Sequence, residues 1–192
     1  MAERPKRKAR EPKQELLRGL AAVDEVLRQP ALVALAERYP RQVVADAARA
    51  VIERLRREIL EAQRTVAAQD LTAEMLVPWV TELVEVAMTL RNHTRTYDVL
   101  ARYDATLFAA ILPHSPLNDA VRYADKIMQE VGSTTFSDPS FPTEARLSVG
   151  IVACQNGSAH GADFVLGEAM RGLLQAKSLP EERLVARNIA EE

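Results

Sequence analysis

The sequence predicts an α+β protein, an N-terminal α-helical bundle followed by an α/β part containing an antiparallel hairpin. Three observations carry this. Residues 13–65 place apolar side chains at helical spacing, residues 95–113 (RTYDVLARYDATLFAAILP) read as two short apolar strands about a turn, and residues 144–187 read strand, helix, strand. With 192 residues the chain can bury one core or two small ones. Hydrophobic content of 47% beside 27% charged residues is ordinary for a soluble globular protein. A net charge of −2 removes a global polycation as an argument for nucleic acid. The first 14 residues are nonetheless basic, with Arg4, Lys6, Arg7, Lys8, Arg10 and Lys13 against Glu3 and Glu11. A single cysteine, Cys154, excludes an intramolecular disulfide and fits a reducing compartment. No apolar run reaches the roughly 18–20 residues needed to span a bilayer, and no signal-peptide core follows the basic start. The expectation is a cytoplasmic protein with no membrane association.

Residues 1–12, with two prolines and almost nothing apolar, read as a disordered basic tail, either a solubilising leader or an arm that contacts nucleic-acid phosphates. From Lys13 one helical stripe carries Leu16, Leu17, Leu20, Val23, Val26 and Leu27. Pro30 starts a second, short helix, and Tyr39-Pro40 closes it because the residue before proline is pushed away from helix. A long helix follows from Gln42 to Thr65, with Val43, Val44, Ala47, Val51, Leu55, Ile59 and Leu60 inward; a helical module thus spans 13–70. A second domain spans 72–192. It opens with a helix over Thr72–Asn92, with Pro78 in its first turns and Trp79 packing between the two halves. In the hairpin the turn is expected at Asp104-Ala105, with Val99, Leu100 and Tyr103 before it and Leu107, Phe108, Ala110, Ile111 and Leu112 after it. Ser115 and Pro116 then cap and start a helix to Val131, Gly132–Thr143 is a loop, Glu144–Cys154 a strand, Ala162–Leu179 a helix and Arg183–Arg187 a last strand.

Arg95-Thr96-Tyr97-Asp98, five residues, Asp104-Ala105-Thr106-Leu107-Phe108 and an apolar strand ending in Leu112-Pro113 resemble the signature hairpin of GGDEF domains, the diguanylate cyclase family. That family reads Arg-x-x-Asp, five residues, then Gly-Gly-Asp/Glu-Glu-Phe. The strand LSVGIVA and the helix EAMRGLLQAK resemble the family's later strand and its Ala-Asp-x-Ala-Leu-Tyr-x-Ala-Lys helix, so the resemblance covers residues 82–187. The departures point to a truncated, degenerate domain. The family's hairpin carboxylate falls at Thr106 and the following acid at Leu107, while Asp104 stands two positions early and Ala105 carries a Cβ where the family has glycine. Between Leu76 and Arg95 there is room for one helix, so the family's first strand with its metal aspartate and the guanine-binding helix after it are missing. Holding divalent metal at a triphosphate needs those carboxylates. The resemblance therefore implies no enzyme, no catalytic residue, no metal and no cofactor.

What the resemblance retains is Arg95 and Asp98, which in the family form an inhibitory site for the guanines of cyclic di-GMP. Guanidinium donates to guanine O6 and N7, and carboxylate accepts from its N1 and N2 protons. The plain alternative is a surface ion pair beside a hairpin, contributing under about 1 kcal/mol. A second resemblance lies in residues 15–65. Val23-Asp24-x-x-Leu27, Pro30-Ala31-Leu32, Tyr39 before its turn and the Val43–Arg56 helix are similar to the N-terminal domain of bacterial selenocysteine synthase, the L-seryl-tRNA(Sec) selenium transferase. It implies a tRNA-binding role, with Lys6, Arg7, Lys8, Arg49, Arg56 and Arg57 on phosphates. The expected function is a non-catalytic regulatory or adaptor protein binding cyclic di-GMP through Arg95 and Asp98; the alternative is a tRNA- or RNA-binding module. A sheet lacking a strand exposes an edge, which invites self-association or a protein partner, and a dimerising scaffold without ligand is a third reading. His93, His114 and His160 are spaced too widely for a metal site and read as solvent or loop residues. Cys154 reads as a small buried apolar residue, and Asn156-Gly157 as a turn.

Overall fold

The computed structural model describes residues 11–61, 71–133, 146–154, 161–179 and 183–189. Residues 1–10 of the expected 1–12 tail, the end of the helix expected to reach Thr65, most of the 132–143 loop and the Asn156-Gly157 turn lie outside them, and Glu11 and Pro12 open a helix instead of ending a tail. The described chain is α+β, as the sequence predicts. A helical region is followed by helices and strands that include the hairpin, and no strand precedes the hairpin among the described residues. No described helix is long and apolar enough to cross a membrane.

One compact unit holds the helices up to Met88 together with Ala101–Ala109. Helix α4 (Arg41–Glu61) is its centre, with α1 (Glu11–Gly19), α2 (Val23–Leu27) and α3 (Pro30–Arg38) packed on it. Val44, Ala47, Ala48, Val51, Ile52, Leu55 and Ile59 form one buried face of α4, and they meet Val26, Leu32, Leu35 and Leu71, and Leu76, Val80 and Val84 of α5 (Ala73–His93). Each fully covered leucine, such as Leu32, Leu55, Leu71 or Leu76, contributes about 2 kcal/mol of burial. Trp79 packs against this core under the Arg54 guanidinium, 5.7 Å from the ring centroid.

Pro30 sits in the first turn of α3, and Tyr39 is extended (φ −126°, ψ 157°) before Pro40, whose carbonyl accepts the Val43 and Val44 amides. The stripe from Leu16 to Leu27, expected as one helix, is broken after Gly19. Ala22 is extended (ψ 151°), and the Ala21 amide donates to the Leu71 carbonyl at 3.0 Å, a partner fifty residues away. The Ala22 amide is taken by the Glu25 carboxylate at 3.1 Å; alanine has no acceptor to return, so only the Glu25 half of a reciprocal cap forms. The Lys13 ammonium donates to the Leu60 carbonyl at 2.9 Å, satisfying an end group of α4. Thr72 caps α5 by accepting the Met75 amide.

The second unit holds Thr89–Leu100 and the described residues from Ala110 onward. Strands β3 (Val149–Cys154) and β4 (Leu184–Ile189) pair in parallel, Val149 opposite Leu184, with α7 (Ala162–Ser178) as the crossover. Helix α6 (Leu117–Ser133) packs on the same strands through a buried row of Ala120, Ala124, Ile127 and Val131. Of the strand expected from Glu144, Arg146–Ser148 are not in strand and pairing begins at Val149, whose amide donates to the Arg183 carbonyl, while Glu144 and Ala145 lie outside the described residues. The expected Ser115 cap is not made. The Ser115 hydroxyl donates to the Pro113 carbonyl, and the Pro116 carbonyl accepts the Asp119 and Ala120 amides, so α6 begins at Leu117. Cys154 is exposed rather than buried, since it is the last residue of β3.

Helix α7 approaches β3 at two glycines. A Cβ on Gly150 would overlap the Ala169 carbonyl and the Leu173 amide, and Gly172 stands opposite with the Gly150 Cα 3.5 Å from where its own Cβ would be. Gly150→Ala should therefore lower unfolding stability by about 2–3 kcal/mol, read as a fall in urea midpoint at unchanged slope.

Candidate ligand site at the base of the hairpin

The hairpin consists of β1 (Val99–Asp104) and β2 (Leu107–Ile111), and it forms a two-stranded sheet separate from β3–β4. Its turn is Ala105-Thr106, one residue later than expected, because Asp104 stays in the strand with its side chain accepting the Ala105 amide at 2.6 Å.

The chain enters β1 through the turn Arg95–Asp98. Helix α5 ends as the Thr94 hydroxyl donates to the Leu90 carbonyl at 2.7 Å, and the same hydroxyl lies 3.3 Å from the Tyr123 hydroxyl of α6. The Asp98 amide donates to the Arg95 carbonyl at 3.1 Å, and the Arg95 amide to Asp98 Oδ2 at 2.8 Å. The Arg-x-x-Asp spacing is thus the spacing of a closed turn, and Asp98 bonds the backbone of Arg95, not its guanidinium. Asp98 Oδ1 is covered and has no hydrogen-bond partner. The Arg95 guanidinium is exposed; its Nη1 donates to the Tyr97 hydroxyl at 3.1 Å, and its Cζ lies 5.9 Å from that ring's centroid. The Tyr97 hydrogen bond raises the Arg95 pKa further above its ordinary value, so the group is a permanent cation.

At the other end of the hairpin, Asp104 is gripped by Arg57 of α4 through two parallel hydrogen bonds of 2.7 and 2.8 Å. The Arg57 bonds, with the Ala105 amide next, hold the Asp104 carboxyl well below the usual carboxylate range. Phe108 packs against the helical core with the Arg102 guanidinium 5.4 Å from its centroid, and Arg102 donates to the Asp46 carbonyl at 3.3 Å. Thr106 is exposed, and Leu107 and Ala105 are half-buried.

The remaining predicted residues separate. Arg49 pairs with Asp46 and Arg56 with Glu53, each at 2.8 Å along α4, while Lys6, Arg7, Lys8 and His160 lie outside the described residues. His93 is not a solvent or loop residue. It ends α5 largely covered, with one ring nitrogen on the Thr89 carbonyl and the other 2.9 Å from Glu130. Among the described residues no cluster of three or more His, Cys, Asp or Glu is arranged to hold a metal. Sequence reasoning missed Tyr97, although it stands inside the motif, and the Arg57–Asp104 grip, which spans 47 residues and leaves no local signal.

Residues 81–183 match the family described as diguanylate cyclase, GGDEF domain, more than half of the 192-residue chain. The chain belongs to the GGDEF family. Residues 17–56, ahead of the GGDEF region, match the description selenocysteine synthase N terminal. The GGDEF-family chain is also similar to the response regulator PleD of Caulobacter vibrioides, in strains NA1000/CB15N and ATCC 19089/CIP 103742/CB 15, with 27% identity over 106 residues. The aligned region is 55% of this chain and 23% of PleD, so the chain spans under a quarter of the curated relatives it matches.

Two outcomes test this geometry. Asp98→Ala should cost about 1 kcal/mol through loss of the turn closure, while Arg95→Ala leaves the urea midpoint unchanged. The Asp104 contribution is fully present above its unfolded pKa of about 4 and is lost progressively as pH falls from there through its lower folded value. Asp104→Asn should therefore be less stable than the parent at pH 7, with the gap narrowing steadily as pH falls below about 4 and narrowing also in high salt.

Proposed function

We propose that this protein is a non-catalytic GGDEF-family module that binds cyclic di-GMP through Arg95 and Asp98 and serves as a regulatory adaptor. The observation that carries the reading is the Arg57 grip on Asp104. The carboxylate nearest the family's metal-holding position has both oxygens engaged by a guanidinium, and Thr106 and Leu107 supply no other. Phosphoryl chemistry at a triphosphate needs carboxylates free to hold divalent metal. Arg95, in contrast, presents its guanidinium to solvent, where its paired N–H groups fit guanine O6 and N7. Asp98 keeps one oxygen without a partner, an acceptor for guanine N1 and N2 protons. Because that oxygen is covered, binding through it involves a local movement of the Arg95–Asp98 turn.

A second reading, an RNA-binding module, is favoured by the match of residues 17–56 to the selenocysteine synthase N terminus. Arg49, Arg56 and Arg57 each face a carboxylate of this chain, so phosphates would compete with Asp46, Glu53 and Asp104 for them. Steep loss of tRNA binding with added salt would support this second reading.

Titration calorimetry with cyclic di-GMP on the parent and on Arg95→Ala, with a GTP and Mg²⁺ turnover assay beside it, tests the proposal. Micromolar binding weakened at least about tenfold in Arg95→Ala, with no cyclic product, is the expected result. Cyclic di-GMP synthesis, or no heat from folded protein, would overturn it.

A further inference from the structure

The turn that carries Arg95 and Asp98 also carries an aromatic ring to which the Arg-x-x-Asp pattern gives no task. Tyr97 is 57% exposed, so its ring is open to a ligand beside Arg95, and a tyrosine ring can pair an apolar face with a polar tip. Its ring is not spent on the core, and the Arg95 guanidinium lies toward its hydroxyl end. Nη1 bonds the phenol oxygen at 3.1 Å and Cζ stands over one face of the ring, 5.9 Å from the centroid, so the guanidinium engages the hydroxyl and that face while the ring as a whole stays exposed.

We infer that Tyr97 is the stacking and positioning residue of this site: its ring carries one purine of a cyclic dinucleotide, and its hydroxyl fixes the Arg95 guanidinium at that purine's edge. This rests on the cyclic di-GMP reading above and adds the residue that selects the base by shape. An aromatic face accepts a flat purine whatever its edge, and the fixed guanidinium then reads the edge. A free arginine must lose side-chain freedom when it binds; one already tethered to a neighbouring hydroxyl loses less. Tyr97 therefore has two separable contributions, the ring and the hydroxyl.

Calorimetry with cyclic di-GMP on the parent, Arg95→Ala, Tyr97→Ala and Tyr97→Phe separates them, together with the proton spectrum of the bound nucleotide. Tyr97→Ala should weaken binding about ten- to a hundredfold, and Tyr97→Phe, which keeps the ring, by no more than about fivefold. The guanine H8 proton should move upfield on binding to the parent and to Tyr97→Phe, a ring-current effect that a merely structural tyrosine would not produce. If binding depends on Arg95 while Tyr97→Ala binds like the parent, or while H8 does not move, the role of Tyr97 is overturned and the Arg95 reading stands. If the folded parent does not bind, both fall. Should Tyr97→Ala fail to fold, the H8 shift in the parent and in Tyr97→Phe decides.

Discussion

Two parallel hydrogen bonds from the Arg57 guanidinium to the Asp104 carboxylate tie the hairpin tip to helix α4. Around that tie, Phe108 packs on the helical core and Arg102 reaches the Asp46 carbonyl, and residues Ala101–Ala109 belong to the same compact unit as the helices up to Met88. The pair is about 44% exposed on both sides, so its value lies in geometry: the fork of the guanidinium fixes direction as well as distance. The packing of Phe108 supplies apolar burial that an exposed ion pair cannot. A signature loop is thereby made part of a helical core.

The Arg-x-x-Asp turn shows why a motif needs its atoms before it can be interpreted. Asp98 has a local task, closing the turn on the Arg95 amide, and that task by itself requires the three-residue offset. The Arg95 side chain has no comparable structural task, since among the described residues its contacts are with the hydroxyl and ring of the exposed Tyr97. The proposed cyclic di-GMP site therefore rests more on Arg95 and Tyr97 than on Asp98. The surface ion pair that the spacing suggested is replaced by a side-chain to backbone bond, because the turn brings the Arg95 amide to the carboxylate.

The elements that were legible are those whose causes are local. Pro30 starts α3, Tyr39-Pro40 ends it, and the apolar period of α4 runs unbroken from Val43 to Ile59. The hairpin followed from apolar residues on both sides of a short turn, misplaced by one residue because Asp104 stays in the strand and its side chain takes the Ala105 amide. Less legible was the break after Gly19, since Leu16 to Leu27 keep a helical stripe across it and the amide of Ala21 goes to Leu71. His93 was misjudged for a similar reason, as its Glu130 partner stands in α6, far along the chain. Cys154 was misjudged because alternation gives a strand its faces but not the point at which packing on the strand ends.

By itself, the sequence determined the α+β order of elements, the hairpin frame and the absence of acids at Thr106 and Leu107, because helix period, turn chemistry and residue identity are properties of neighbours along the chain. It also placed Arg95, Tyr97 and Asp98 within four residues of one another. Only the tertiary structure decided which of them is spent on the fold and which faces solvent, and that Asp104 is held by Arg57. Those outcomes depend on contacts between segments whose separation no periodicity encodes, and a carboxylate's chemistry is set by the group that reaches it.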